Sequence, residues 1–391
     1  MKFIHAADLH IGAAFSGIRQ PNGLVASKLL NAPNAALNQM IQDACTQEVD
    51  FVILAGDLFA TPQPDQQSLL QFRTAMMTLA EENIPVFAGT GNHDFGLREK
   101  LQSLVPDNVH LFADQGETFQ ITTLENNSVA VSGFSYNQRH LSTSLIPAFP
   151  QRDLSVDYHI GVYHGEQSGT SGQYAPFTIP DMLSKQYDYW ALGHIHQRNL
   201  LHERPFIAYA GNLQGYHEKE VGAKGYQLVT ELDGSLTPQF VAVAPVEWVK
   251  AEIEADDPQI VVESLRKAFM DVEAFQLITL NVLTNDQTTQ QQILQHTFDV
   301  NYFRQSEDPF WVVDVHLENR GGSDLPTVDT EYWNQSYEAV FNEQNLYDLG
   351  LKTIKDPTLL AKLTNSAFMN SVSDKAKGII QSVEEVTNEN N

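Results

Sequence analysis

Cysteine is all but missing from this 391-residue chain: Cys45 is the only one. A single thiol excludes internal disulfides and a thiolate cage for zinc, and it fits a reducing cytoplasm. Basic residues are scarce as well. The 23 Lys and Arg stand against 49 Asp and Glu, for a net charge of −26. The imbalance is −11 over residues 1–245 and −15 over 246–391, so neither part carries the basic surface with which a protein grips nucleic acid unaided. Long apolar runs are absent too. No stretch approaches the ~18–20 residues of a membrane helix. The opening MKFIHAADLHIG carries an Asp and a His inside its apolar part, unlike a secretory signal. The expectation is a soluble cytoplasmic protein with no membrane contact.

What is present alternates. Over the first ~245 residues strand and helix signals take turns, a pattern of layered α/β structure. F3-I4 opens a strand, and Leu37, Met40, Ile41 and Ala44 recur at helical spacing after Pro33. F51-V52-I53-L54-A55 reads as a buried strand ending at G56-D57, and Asp65 can cap a helix with Leu69, Phe72, Met76 and Leu79 on one face. Further strand-like runs start near 84, 129, 160, 189 and 226. Pro245 marks a boundary. A smaller strand–helix–strand–helix–strand pattern follows, with strands expected at 247–253, 276–284 and 310–317 and Asp257-Pro258 opening the first helix. G321-G322-S323 reads as a linker. Beyond it Trp333, Tyr337, Val340 and Phe341, then Ile379, Val383 and Val386, form apolar stripes that pack on their own domain or dock a partner. Three segments result: 1–245, 246–320 and 321–391.

Five segments share one design, an apolar run followed by residues that bind metals: A7-D8-L9-H10, A55-G56-D57-L58-F59, G91-N92-H93-D94, V162-Y163-H164-G165 and L192-G193-H194-I195-H196. In D-x-H and H-x-H the two ligands sit at i and i+2, on the same side of an extended chain, so both can reach one centre. Asp8, His10, Asp57, Asn92, His164, His194 and His196 are thus candidate ligands, with His93 and Asp94 left over. Any one segment alone has a plainer explanation, since D-x-H is common by chance, G-N-H-D is built of turn residues and a lone His in an apolar run is usually a core residue. All five in one order are far harder to obtain by accident. Carboxylate, amide oxygen and imidazole without thiolate suit Mn²⁺ or Fe²⁺ better than a structural zinc. Two such ions ~3.5–4 Å apart clamp the attacking and leaving oxygens of an in-line displacement at phosphorus. Asp57, alone in its segment, is the natural bridge between them. The other eight histidines, His217 among them, are expected to be structural or on the surface.

This set resembles the calcineurin-like metallophosphoesterases, whose pattern is D-x-H, G-D, G-N-H-D/E, a lone H and G-H-x-H, here spread over about residues 1–200. The resemblance implies a four-layer α/β/β/α sandwich, with a smaller α/β capping domain and a helical C-terminal tail. It implies that Asp8, His10 and His196 hold one ion with Asp57, and that Asn92, His164 and His194 hold the other, with Asp57 shared. His93 would face the scissile phosphate as the catalytic imidazole, and Asp94 would orient its ring. The flanking words I-H-A-A-D-L-H-I-G, G-D-L-F and Y-A-G-N-L-Q-G-Y-H-E-K-E-V-G-A-K-G-Y look like the DNA repair exonucleases of the SbcD group, nearest the bacterial YhaO branch. That likeness implies a manganese-dependent nuclease on DNA ends, an SbcC-like coiled-coil ATPase partner and a homodimer. Some relatives continue G-D-L-F with His; here Ala60 follows.

The loop from Tyr209 to Gly215, with Lys219 and Lys224 beyond it, either meets a DNA phosphate, which would make Asn212, Gln214, Lys219 and Lys224 substrate contacts, or is a plain Gly-rich connection. G165 to G172, just after His164, is expected as a mobile loop at the rim of the site. With so few cations, duplex affinity is expected to come largely from another subunit. A phosphatase or small-molecule phosphodiesterase on the same centre, and a non-catalytic scaffold, are the competing functional readings.

Overall fold

A computed structural model describes residues 1–18 and 21–318. The linker and the apolar stripes expected beyond residue 320 lie outside the described residues. In chain order the first half runs β1 (Lys2–Ala6), α1 (Gly23–Thr46), β2 (Phe51–Ala55), α2 (Gln66–Glu81), β3 (Val86–Gly89), α3 (Arg98–Gln102), β4 (Val109–Leu111), β5 (Glu117–Thr122) and β6 (Ser128–Gly133). It continues with β7 (Tyr158–His164), α4 (Ile179–Ser184), β8 (Tyr189–Gly193), β9 (Asn199–Glu203), β10 (Phe206–Tyr209), β11 (Gly225–Leu232) and β12 (Ser235–Ala242). The remainder is β13 (Val246–Glu254), α5 (Pro258–Ala268), β14 (Phe275–Leu283), α6 (Gln287–Leu294) and β15 (Phe310–Glu318).

Two six-stranded sheets, ordered β12-β11-β1-β2-β3-β4 and β5-β6-β7-β8-β10-β9, lie face to face. The continuous apolar strands are explained by burial on both faces. In β2, Phe51, Ile53 and Ala55 enter the core between the sheets. Val52 and Leu54 enter the core under the helices, with Leu37 and Met40 of α1 and Phe72 and Met76 of α2. The outer face of the second sheet is closed by Met182 of α4 against Tyr163, Trp190 and Ile207. The layers are helix, sheet, sheet, helix, as the sequence led us to expect.

Helix α1 departs from expectation. The sequence suggests a start after Pro33, but the helix begins ten residues earlier, at Gly23, with Asn22 accepting the Val25 amide as its cap and Pro33 inside it. A proline within a helix removes one ladder hydrogen bond and crowds the preceding turn. Burial offsets that cost: Val25, Leu29 and Ala32, all N-terminal to Pro33, pack against Val246, Trp248, Phe275, Leu277 and Trp311. Those five belong to a third sheet, ordered β13-β14-β15. Asp65 caps α2 through the Ser68 amide, and Asp257 caps α5 through Gln259.

The chain divides into two compact units. One comprises Met1–Ile253, Asp257–Asn281 and Asp299–Val315; the other begins with Glu254–Asp256 and Val282–Phe298 and resumes at His316. The division does not fall at residue 245, where the sequence placed a boundary. Within the second unit Asp286 caps α6 through the Thr289 amide, and the Thr289 hydroxyl donates to the Asp256 carbonyl at 2.8 Å. Among the described residues, no helix is long and apolar enough to cross a membrane.

Candidate metal centre

Every candidate ligand stands at or just past the carboxyl end of a parallel strand. Strands β1, β2 and β3 run parallel, as do β7 and β8, so their ends open on common edges. Asp8 and His10 follow β1, Asp57 follows β2, Asn92 follows β3, His164 ends β7, and His194 and His196 follow β8. The turns that carry them are strained. Asp8, His10, Asp57 and His194 all have positive φ, at 51°, 45°, 49° and 103°. L-residues avoid that region at a cost of order 1–3 kcal/mol each, and such strain gathers at functional sites.

The side chains converge. The Nε2 atoms of His10 and His196 lie 2.9 Å apart. Asn92 Oδ1 stands 3.1 Å from His164 Nε2 and 3.0 Å from His194 Nδ1. Asp57 Oδ2 is 3.4 Å from His164 Nε2 and 3.8 Å from His10 Nε2, between the two groups. Asp8 accepts the His194 amide at 3.0 Å and lies in one cluster with His10 and His196. Room for this comes from missing side chains: a Cβ on Gly91 would sit 2.2 Å from Asp57 Oδ1.

The donor chemistry fits divalent cations. His196 Nδ1 hydrogen-bonds Glu220 Oε1, and His164 Nδ1 donates to the Ala55 carbonyl at 2.9 Å. When these rings are neutral, with their protons turned outward, both Nε2 atoms present lone pairs inward, toward carboxylate and amide oxygens that are also electron-rich. Lone pairs crowded on one point repel unless positive charge sits among them. The same conflict shows in the proton equilibria. Burial pushes His10 and His194 down to about 3, and burial raises Asp8 above the usual carboxylate range. His164 is also buried, which opposes its charge, yet the Asp57 carboxylate beside it brings it up to about 9. Burial works against the charge of Glu220 too, but its bonds to His196 and the Tyr216 amide hold it down to about 2.

His93 is the exposed member of the group. Its ring stands edge-on to His10 at 4.9 Å, and its amide donates to Asp57 Oδ1 at 2.8 Å. Asp94 does something other than expected. Its Oδ2 accepts the amides of Leu58 and Phe59, and its Oδ1 accepts the Gly91 amide at 2.6 Å. It makes no hydrogen bond to the His93 ring among the described residues; it ties the loop after β2 to the loop after β3. Burial raises its pKa to about 8.

Of the substrate contacts expected beyond Tyr209, Asn212, Gln214 and Lys224 are buried. Asn212 Nδ2 donates to the Gln214 carbonyl, Gln214 Nε2 to the Val246 carbonyl, and Lys224 Nζ to the His196 carbonyl at 2.9 Å. Three side chains turned inward cannot meet a DNA backbone, so that expectation is corrected. Lys219 is exposed. The loop after His164 is pinned by the buried Glu166, which accepts from the amides of Ser171, Gln173 and Tyr174, and it brings the Tyr174 ring to 4.7 Å from His194.

Two residues escaped the sequence reading. Glu220 backs His196, and His217, expected to be merely structural or on the surface, lies with its Nε2 at 3.4 Å from Glu220 Oε1. The only hint was their place in the family-like stretch Y-H-E-K-E.

Comparisons with known proteins place the chain in a family. A stretch of 261 residues is 36% identical to "Uncharacterized metallophosphoesterase YhaO" of Bacillus subtilis, covering 66% of this chain and 64% of that protein. Another of 239 residues is 26% identical to "DNA double-strand break repair protein Mre11" of Thermoplasma acidophilum, covering 57% of this chain and 62% of that one. The match thus spans less than two thirds of the length of either relative. A solved dimetal phosphatase from Danio rerio aligns over 60% of this chain and 93% of its own, at 10% identity and a TM-score of 0.39, too remote to bear on chemistry. The model of the family described as calcineurin-like phosphoesterase matches residues 1–198, just over half of the sequence. By that match and by its donor set, this chain belongs to the calcineurin-like phosphoesterases.

Proposed function

We propose that the protein is a manganese-dependent nuclease that hydrolyses phosphodiester bonds at DNA ends. The observation that carries the hydrolytic part is the meeting of seven electron-pair donors from five strand ends, with an exposed imidazole beside them. Asp8, His10 and His196 would hold one ion, and Asn92, His164 and His194 a second, with Asp57 between. Two such cations supply an activated water and neutralise charge on the phosphoryl oxygens. The chain's own contribution is positional. Asp57 holds the His93 amide, which fixes the imidazole at the solvent edge of the centre. From there His93 meets a phosphate oxygen and can hand its proton to the leaving 3′ oxygen.

The substrate class rests on the likeness to the Mre11 relative and on the flanking words of the motifs. A net charge of −26 argues for a partner that supplies the cations a duplex needs. We take that partner to be a coiled-coil ATPase of the SbcC kind, working in the cytoplasm with a homodimer of this chain. The competing reading is a phosphatase or small-molecule phosphodiesterase, because the centre itself sees only phosphate and metal.

One assay separates them: hydrolysis in Mn²⁺ of linear duplex DNA, single-stranded DNA and an aryl phosphodiester. Cleavage from DNA ends supports the nuclease. Turnover of the aryl ester alone transfers the assignment to small substrates, and no hydrolysis by a manganese-loaded protein leaves the scaffold.

A further inference from the structure

The two ligand groups are not supported alike. On the His164 side, the hydrogen bond of the ring nitrogen turned away from the centre goes to a neutral carbonyl, that of Ala55, with the nearest Asp8 oxygen farther off at 3.9 Å. On the His196 side it meets a carboxylate, and a whole loop is built around that contact. Glu220 is buried. Its Oε2 accepts the amides of Tyr216 and His217, and its Oε1 meets the His196 ring, with His217 Nε2 farther off at 3.4 Å. Lys224 Nζ holds the His196 carbonyl. The Tyr216 hydroxyl donates to the carbonyl of Leu9, the residue between Asp8 and His10, at 3.1 Å. All three contacts fall on the Asp8–His10–His196 group; on the other side the Tyr136 hydroxyl donates to the His164 carbonyl at 3.1 Å, but among the described residues no carboxylate comes within hydrogen-bond distance of His164 Nδ1.

We infer that Glu220 is a positioning residue that makes the Asp8–His10–His196 position the tighter of two metal positions. The inference deepens the binuclear reading above and rests on it. A carboxylate on Nδ1 keeps the proton of the neutral ring there, which leaves the Nε2 lone pair to a metal, and it makes that lone pair a stronger donor. It also prevents the His196 ring from rotating away. A carbonyl on His164 fixes a tautomer but adds no charge. In this role Glu220 acts through the His196 ring.

The test is equilibrium titration of the metal-free full chain with Mn²⁺, reading free Mn²⁺ by electron paramagnetic resonance, for wild type and E220Q. The wild type should take up two ions of unequal affinity. E220Q keeps the shape and removes the charge, and it should weaken the tighter ion by about 10–100-fold while leaving the weaker one in place. E220D, which restores the charge, should recover part of the loss. Independently of any variant, ¹⁵N shifts of the metal-free wild type should show His196 protonated on Nδ1. Two wild-type ions with neither affected by E220Q, an effect confined to the weaker ion, or a neutral His196 ring with its proton on Nε2 would overturn the role of Glu220. A wild type that takes up no Mn²⁺ would instead remove the binuclear reading beneath it.

Discussion

Two places in the first compact unit put buried side chains to opposite uses. Where the third sheet meets α1, Val25, Leu29, Trp248, Leu277 and Trp311 fill space with apolar surface. At the strand ends, Asp8, Asp57, Asn92, Asp94 and His164 are as thoroughly buried, but they are polar, crowded and carried in part on strained backbone. The first region stabilises the fold. The second is tolerated because the first and the two large cores exceed its cost, a distribution expected where function opposes stability.

The sharpest way to break that contrast is Gly91→Ala. Its Cβ would press on Asp57 Oδ1 and, at 2.7 Å, on His164 Nε2. Mn²⁺ binding by titration and phosphodiester hydrolysis should both fall at least ~100-fold, since small misplacements at a reacting centre cost that much. Leu277→Ala works the other way. It should lower stability by ~2–5 kcal/mol in urea unfolding, with Mn²⁺ affinity of the folded protein unchanged. His93→Gln should leave metal uptake intact and reduce turnover ~10²-fold or more. Manganese should stabilise the wild type by ~2.7 kcal/mol at a hundred times its dissociation constant, and Asp57→Asn should abolish most of that gain in thermal unfolding. The smallest effect belongs to Asn22→Ala, which removes the α1 cap and should cost ~0.5–2 kcal/mol without touching hydrolysis.

The clustering of the candidate ligands was legible because five such segments in one order, each after an apolar run, are hard to obtain by accident. The layered sandwich was legible for a related reason: β2 and β3 are apolar on both faces, which requires cover on both. Other features depend on contacts between residues far apart in sequence. Nothing local to Asp94 says that its oxygens go to Leu58, Phe59 and Gly91 rather than to the neighbouring imidazole. Pro33 reads as a boundary until the third sheet, more than 200 residues later, is known to hold the turns before it. Glu220 looks like one more surface acid in an acidic chain. Asn212 and Gln214 look accessible because glycines surround them, whereas the glycines let the backbone pack closely and carry both amides inside.

Asp94 has a consequence for how the centre is filled. One carboxylate grips amides from two neighbouring strand ends, so Asp57 and Asn92 keep their separation whether or not cations lie between them. Loading therefore needs little folding of the surrounding chain: arriving ions exchange their water for donors already in place. Such a crossbrace predicts similar backbones for the empty and filled forms, and amide protons at Leu58 and Phe59 that exchange slowly with solvent in both.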